Sequence, residues 1–497
     1  MINRFPFIIC FLTAEIILGC VVGPDFHRPE LPGVKQFTPT PLPAETSGKE
    51  GEGTLSQRFV EGKDIPFEWW TLFHSAPLDQ LIRLSIADNP TIAAAESALV
   101  AAKETRQAAF GVAYSPKVDA NVAVSRQEIS SAAFGQPGLP NSVFNLYNAS
   151  VNVSYNLSVF GAAQRELEVL QSDVDFQKIQ LEAAHLTLTA NIVTSAIQEA
   201  LLRAEIQMTG EILATQGKYL DIVERQFQIG SISRSEVLTQ SVQLAQTRAT
   251  LPPLQLALAQ TRHHLAALCG KFPENTTLPE FELQNFDLPQ EIPVTVPSLL
   301  VRQRPDVLES EALLHKASGE LGVATSNLFP QITLSGGYGS ETSSTGNIFT
   351  PNSMVWNFGA GLLQPLFHGG ELTAKKRAAE ALYRQAASNY KESVLQAFQN
   401  VADVLRALEY DASSMAYQAT AETLAHDALE MTQSQFQTGA VNYLLLLNAE
   451  RQYQQARMNL IQAKAARYAD SAALFEALGG GWWNRNTDQE KSTKPQS

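Results

Sequence analysis

At 497 residues the chain has room for one large core or several domains, and a hydrophobic content of 44% with mean hydropathy of −0.10 excludes a polytopic helical membrane protein. A formal charge of −14 argues against nucleic acid or an anionic bilayer surface as the main partner. The three cysteines, Cys10, Cys20 and Cys269, offer neither a disulfide framework nor metal-ligand spacing.

Arg4 precedes an apolar run from Phe5 to Leu18 that is too short to span a bilayer and reads as a signal peptide over residues 1–19. The run ends in Ile17-Leu18-Gly19-Cys20, which resembles a bacterial lipobox. That resemblance implies cleavage before Cys20 and a covalent N-acyl and diacylglycerol lipid at Cys20. One acyl anchor holds a membrane weakly, so a second membrane element is expected further on. Residues 20–66, rich in Pro, Gly, Thr and Glu, read as an extended, mostly unstructured arm.

Order is expected from Phe67-Glu68-Trp69-Trp70, followed by Leu78, Leu81, Ile82, Leu84 and Ile86 at helical spacing. Asn89-Pro90 starts a second helix that runs to about Gly111, and Tyr114-Ser115-Pro116 then breaks the period. Apolar residues then alternate: Val118, Ala120, Val122 and Val124 against Asp119, Asn121 and Ser125. The alternation returns as Ala149, Val151, Val153, Tyr155 and Leu157 against Ser150, Asn152, Ser154 and Asn156. These predict strands over about 117–126 and 146–158, within a first structural repeat of 67–283. After a linker at 284–297 the order recurs in a second repeat, 298–482, with a helix from Arg304-Pro305-Asp306 to Phe329-Pro330 and strands over about 331–340 and 354–364. Residues 483–497 read as a polar tail. Each strand has about the length of a tilted transmembrane strand, with one polar and one apolar face.

The repeat is direct. Gln226-Phe227-Gln228-Ile229-Gly230 returns as Gln435-Phe436-Gln437-Thr438-Gly439, an offset of 209, the difference between 435 and 226. Leu265-Ala266-Ala267-Leu268-Cys269-Gly270 returns at the same offset as Leu474-Phe475-Glu476-Ala477-Leu478-Gly479. No proline occurs from Asn141 to Leu251 or from Leu366 to Lys494, which predicts very long helices. From Gly161 to Gly230 a helix would run about 105 Å, a rod that needs coiled-coil partners along its sides. Gly230 and Gly439 are then the turns of two long helical hairpins. Pro252-Pro253 is expected to interrupt the return helix of the first copy.

Four amphipathic strands cannot close a membrane barrel, since the smallest such barrels have about eight, and open edges are not tolerated in lipid. The strands must therefore enter a shared barrel, of eight strands in a dimer or twelve in a trimer.

The opening "GCVVGPDFHRP", the "WWTLF" segment, the paired Phe-x-x-Gly tips and the closing "ALGGGW" resemble the TolC-type outer-membrane efflux proteins, in the lipoprotein branch that includes OprM and NodT. The resemblance runs from Cys20 to Trp482. It implies an α+β membrane protein: a homotrimeric α/β barrel, with a twelve-stranded shared barrel in the outer membrane and a coiled-coil α-barrel in the periplasm. It further implies an exit duct for small molecules such as drugs or metal ions, delivered by an inner-membrane pump of the resistance-nodulation-division (RND) type through a periplasmic adaptor. Carried onto this chain, Gly230 and Gly439 become adaptor-facing tips. Leu444 and Asn448, four residues apart on one helix face, become the periplasmic gate. Where relatives often carry Asp, this chain has Asn448, so a ring of aspartate charge is absent.

No catalytic constellation emerges, so an enzyme is not expected. His263-His264 lacks metal spacing, Cys269 reads as a core residue, and Gly336-Gly337-Tyr338-Gly339 lacks the lysine and helix of a phosphate loop. Neither a cofactor nor a nucleic-acid partner is expected. A duct for type I protein secretion and, further off, a structural coiled-coil lipoprotein are the alternatives.

Overall fold

The computed structural model describes residues 21–30, 33–47, 56–135, 140–275 and 277–485; the expected signal peptide, Cys20 and most of the polar tail lie outside them. In chain order these residues form strand β1 (Arg58–Glu61), helices α1 (Ala76–Asp88) and α2 (Pro90–Tyr114), and strands β2 (Lys117–Ile129) and β3 (Ser142–Leu157). Helices α3 (Ala162–Gln228) and α4 (Arg234–Leu268), strand β4 (Glu291–Val294) and helices α5 (Pro297–Gln303) and α6 (Pro305–Ser326) follow. Strands β5 (Gln331–Thr342) and β6 (Met354–Leu363) and helices α7 (Glu371–Gln437) and α8 (Tyr443–Ala477) complete the order. The chain divides into two compact units. One comprises residues up to Pro29, Ala98–Lys178 and Glu309–Lys391; the other comprises Glu30–Ser97, Ile179–Leu308 and the chain from Glu392.

The first unit holds an antiparallel sheet in the order β2-β3-β5-β6. Its register puts Asn152 opposite Gly337 and Gly337 opposite Asn357, so the asparagines fall on one face with Asp119, Asn121, Ser150 and Ser154. A Cβ on Gly337 would lie 2.3 Å from Asn357 Oδ1, which explains a glycine between two carboxamides. The opposite face carries Val122, Tyr338, Trp356, Phe358 and Leu362, and these are 61–80% exposed. Among the described residues β2 and β6 each have one unpaired edge.

The second unit is organised by the hairpins, whose long helices enter it at Ile179 and Glu392. α3 and α7 have 67 residues each, α4 and α8 35 each, and every boundary recurs 209 positions on, as from Ala162 to Glu371. The helix ends explain why the sequence repeats where it does. Gly230 N–H donates to Phe227 O and Ser231 N–H to Gln226 O; Gly439 and Ala440 make the same pair of bonds, as do Gly270 with Lys271 and Gly479 with Gly480. All four are left-handed glycine caps, with φ between 68° and 95°. The far ends are also matched. Asn89 donates to Leu268 O at 2.7 Å and Arg304 to Ala477 O at 2.8 Å, each side chain covering the last carbonyls of a return helix. Below them Trp69 stacks on Phe475 at 5.4 Å, and Phe73, Phe281 and Leu478 are fully buried.

Three expectations change. α4 runs unbroken through Pro252 and Pro253. The prolines are exposed, so water can take up the carbonyls they leave unbonded one turn earlier. The described part of the arm is extended but pinned rather than unstructured. Arg406 donates to Thr40 O at 2.6 Å, Thr46 N–H to Gln57 O at 2.9 Å, and β1 pairs in parallel with β4. β4 lies in the stretch expected as a linker. Neither segment has an apolar period of its own, because its backbone partners come from remote sequence.

The four caps differ in their surroundings. A Cβ on Gly270 would lie 2.4 Å from Asp88 O, whereas nothing lies within 4 Å of one on Gly230. Gly230→Ala should cost on the order of 1 kcal/mol from left-handed strain alone. Gly270→Ala should cost clearly more, and unfolding midpoints of the two variants against the parent test the order.

Candidate functional site

The hairpin tips gather the residues that sequence reasoning singled out, and they do so on exposed surface. Gly230 and Gly439 sit at the ends of α3 and α7, where the chain turns into α4 and α8. The return helices start on different caps. Ser233 and Glu236 form a reciprocal capping box on α4, while the Asn442 side chain accepts from Leu445 N–H on α8 at 3.0 Å. Leu444 is 58% exposed and Asn448, one turn later, is exposed on the same side. Leu446 and Leu447, between them in sequence, are buried. The run of four leucines therefore splits between two faces. Cys20 lies outside the described residues.

The tips are not equivalent. At the first, Phe227 is 42% exposed and Ile229 80% exposed. At the second, Phe436 packs on Tyr443 at 6.0 Å between ring centres, and Thr438 replaces the isoleucine. One apolar tip is left uncovered.

Behind Leu444 and Asn448 lies a buried polar cluster that the sequence did not announce. The Tyr443 hydroxyl donates to Gln240 Oε1, and the Gln240 amide donates to Gln216 O at 3.0 Å. Gln433 donates to the Tyr219 hydroxyl at 3.3 Å. These bonds tie α8 to α4 and α7 to α3. Further along, Arg457 meets Glu211 at 3.1 Å and Gln462 donates to Glu205 at 2.8 Å, so the two hairpins are joined at several levels. Glu450 lies within this packing, 4% exposed, with Oε1 unpartnered among the described residues. Leu429, Leu446 and Ala449 form the apolar core here, with Tyr219, Tyr443 and Tyr453 packed against it. Burial pushes the Glu450 carboxyl from its ordinary 4.5 up to about 7. Burial also raises the Tyr219 and Tyr443 phenols, and the nearby Glu450 charge adds to both shifts.

One signal could have found the cluster. Gln240 and Ala449, or Ser241 and Glu450, occupy equivalent places in the two copies. Buried contacts between copies are where the copies differ.

The repeat in the structure is also a repeat in the family comparison. A family model described as "Outer membrane efflux protein" matches residues 81–271 and again 296–480, one match for each copy. The chain belongs to the outer membrane efflux protein family. It is an outer-membrane protein with the fold class expected from its sequence: a four-stranded sheet, two long helical hairpins and an internal repeat. It is 26% identical over 476 residues to the cation efflux system protein CusC of Escherichia coli K12, covering 95% of this chain and 98% of that protein. Identity is 28% over 453 residues with the pyoverdine export outer membrane protein OpmQ of Pseudomonas putida, covering 89% and 94%. Among solved structures, the open state of the MtrE outer membrane channel of Neisseria gonorrhoeae matches with a TM-score of 0.79 at 23% identity, over 93% of this chain and 99% of that one. The outer-membrane channel OprN matches with a TM-score of 0.83 at 24% identity, over 93% and 100%.

Because the folded tip favours the protonated Glu450, its packing is strongest below about pH 4.5, weakens as pH rises to about 7, and levels off above. Glu450→Gln should unfold with the parent near pH 4.5 and later than the parent above pH 7. The difference is on the order of 3 kcal/mol at 1.36 kcal/mol per pKa unit. Thermal unfolding of both proteins across pH 4 to 9 checks this, and profiles that stay parallel would contradict it.

Proposed function

We propose that three copies of this chain form the outer-membrane exit duct of a tripartite efflux system. The observation that carries this reading is the sheet: four antiparallel strands with an exposed apolar face and, among the described residues, an unpaired edge on each side. In lipid such edges must be paired. Three sheets edge to edge give a barrel of twelve strands, wide enough to leave a pore. The polar face, with Asp119, Asn121, Asn152 and Ser154, then lines that pore, and Trp356, Phe358 and Val122 face lipid.

The hairpins extend the duct into the periplasm and meet an adaptor at Gly230 and Gly439, with the exposed Phe227 and Ile229 beside the first. An inner-membrane pump of the RND type does the work, and conduction through the duct is passive, with no catalytic step and no cofactor. The cargo is small molecules or metal ions, the range spanned by relatives named for cation efflux and pyoverdine export. A lipid on Cys20 anchors the N-terminus in the same membrane.

Leu444 and Asn448 form the periplasmic gate, since their shared face is exposed in the single chain and threefold symmetry turns it into one apolar ring and one amide ring. In planar bilayers the purified protein should conduct little. Leu444→Ser combined with Asn448→Ser should raise conductance several-fold. Unchanged conductance in the double variant would remove the gate from these residues.

A further inference from the structure

The segment Val21-Val22-Gly23-Pro24-Asp25-Phe26-His27-Arg28-Pro29 serves neither the strands nor the tips, yet it is held at almost every residue. Val22 N–H donates to Phe160 O at 3.3 Å, just past the end of β3. The Arg165 guanidinium, on the first turn of α3, reaches Val22 O at 3.3 Å, Gly23 O at 3.4 Å and Asp25 Oδ1 at 2.7 Å. Its remaining arm goes to Glu168 at 2.7 Å, and Glu168 in turn meets His315 Nε2, on α6, at 2.9 Å. Phe26 stacks on the His315 ring at 4.2 Å and 17°. Arg28 pairs with Glu311 at 2.5 Å.

Glycines make the room. A Cβ on Gly23 would lie 2.6 Å from Gly322 Cα, one on Gly161 2.9 Å from Val21 Cα, and one on Gly322 2.7 Å from Arg165 Cδ. The Arg165 side chain is only 5% exposed. A charge so buried needs partners, and without this segment Glu168 alone would remain among those named. The cradle is shaped and charged for an occupant.

We propose that the Arg165–Glu168–His315–Glu311 cradle is a receptor for the chain's own N-terminal segment, which fixes where the chain leaves toward Cys20. Val22 is two positions from Cys20, at most about 7 Å of extended chain. The described chain therefore points toward Cys20 from beside Phe160, just past the helix-side end of β3. This rests on the reading of Cys20 as the lipidated residue. A single lipid holds a membrane weakly, but an anchor tethered beside the sheet enters the same leaflet at high effective concentration. Arg165 is here a positioning residue for the anchor.

Retention of a severed segment tests the cradle. A protease site is inserted after Gly33, which is exposed with open space around it. The full-length protein is cut in detergent and challenged with an excess of empty micelles, and the fragment is followed by mass spectrometry. The fragment should stay with the uncut remainder of the protein. It should leave at least about tenfold faster from Asp25→Asn/Phe26→Ala and from Arg165→Gln, a loss of about 1.4 kcal/mol. The two segment substitutions leave the cradle itself intact, so their unfolding temperature should match the parent's. A fragment lost as fast from the parent, or kept equally by the variants, would overturn the cradle. The fragment's mass reports separately on Cys20: retention without acyl mass would sink the lipid reading and with it the anchoring role, leaving the cradle standing.

Discussion

The constraint on which the rest depends is the backbone along the outer edges of β2 and β6, unpaired among the described residues. Water could satisfy those N–H and C=O groups, but the apolar face formed by Val122, Trp356, Phe358 and Leu362 is suited to lipid, where no water is available. A sheet with this face and these edges is incomplete as a single chain. On the proposed reading the oligomer follows from the strands, and the helical hairpins, polar along much of their length, gain from it the neighbours that they too need.

Duplication supplies the economy of the design. The 209-residue offset fixes both ends of both hairpins, and the same left-handed glycine closes each helix. Departures from the repeat carry the specialisation. Tyr443 and Glu450 stand where the first copy has Arg234 and Ser241, and Gln240 stands where the second has Ala449. These residues meet in the interior between hairpins. A tip packed around a buried carboxylic acid and a few hydrogen bonds is less firmly held than one packed by leucines alone.

Much of the fold was legible because it is periodic. Alternation at Val118 to Val124 and Ala149 to Leu157 marks strands with one polar and one apolar face, and the long absence of proline marks the helices. What lacked periodicity was misread. The arm has no apolar pattern because Arg406, Arg467 and Glu291 hold it by its backbone and polar groups. Pro252-Pro253 looked like a break, yet on an exposed helix face the missing N–H groups deprive carbonyls that water can reach. At the site, the shared face of Leu444 and Asn448 follows from helical spacing, while their reading as a gate rests on the family resemblance; Tyr219, Gln240 and Gln433 come from three different helices. Their meeting is a property of packing between hairpins, which no local pattern encodes.

The central claim is that the sheet is completed by copies of itself. Native mass spectrometry of the detergent-extracted, mature protein measures this directly. The account predicts a complex of three chains, with no stable single chain that keeps its strand amides protected from exchange. A folded monomer with fully protected β2 and β6 edges would contradict it.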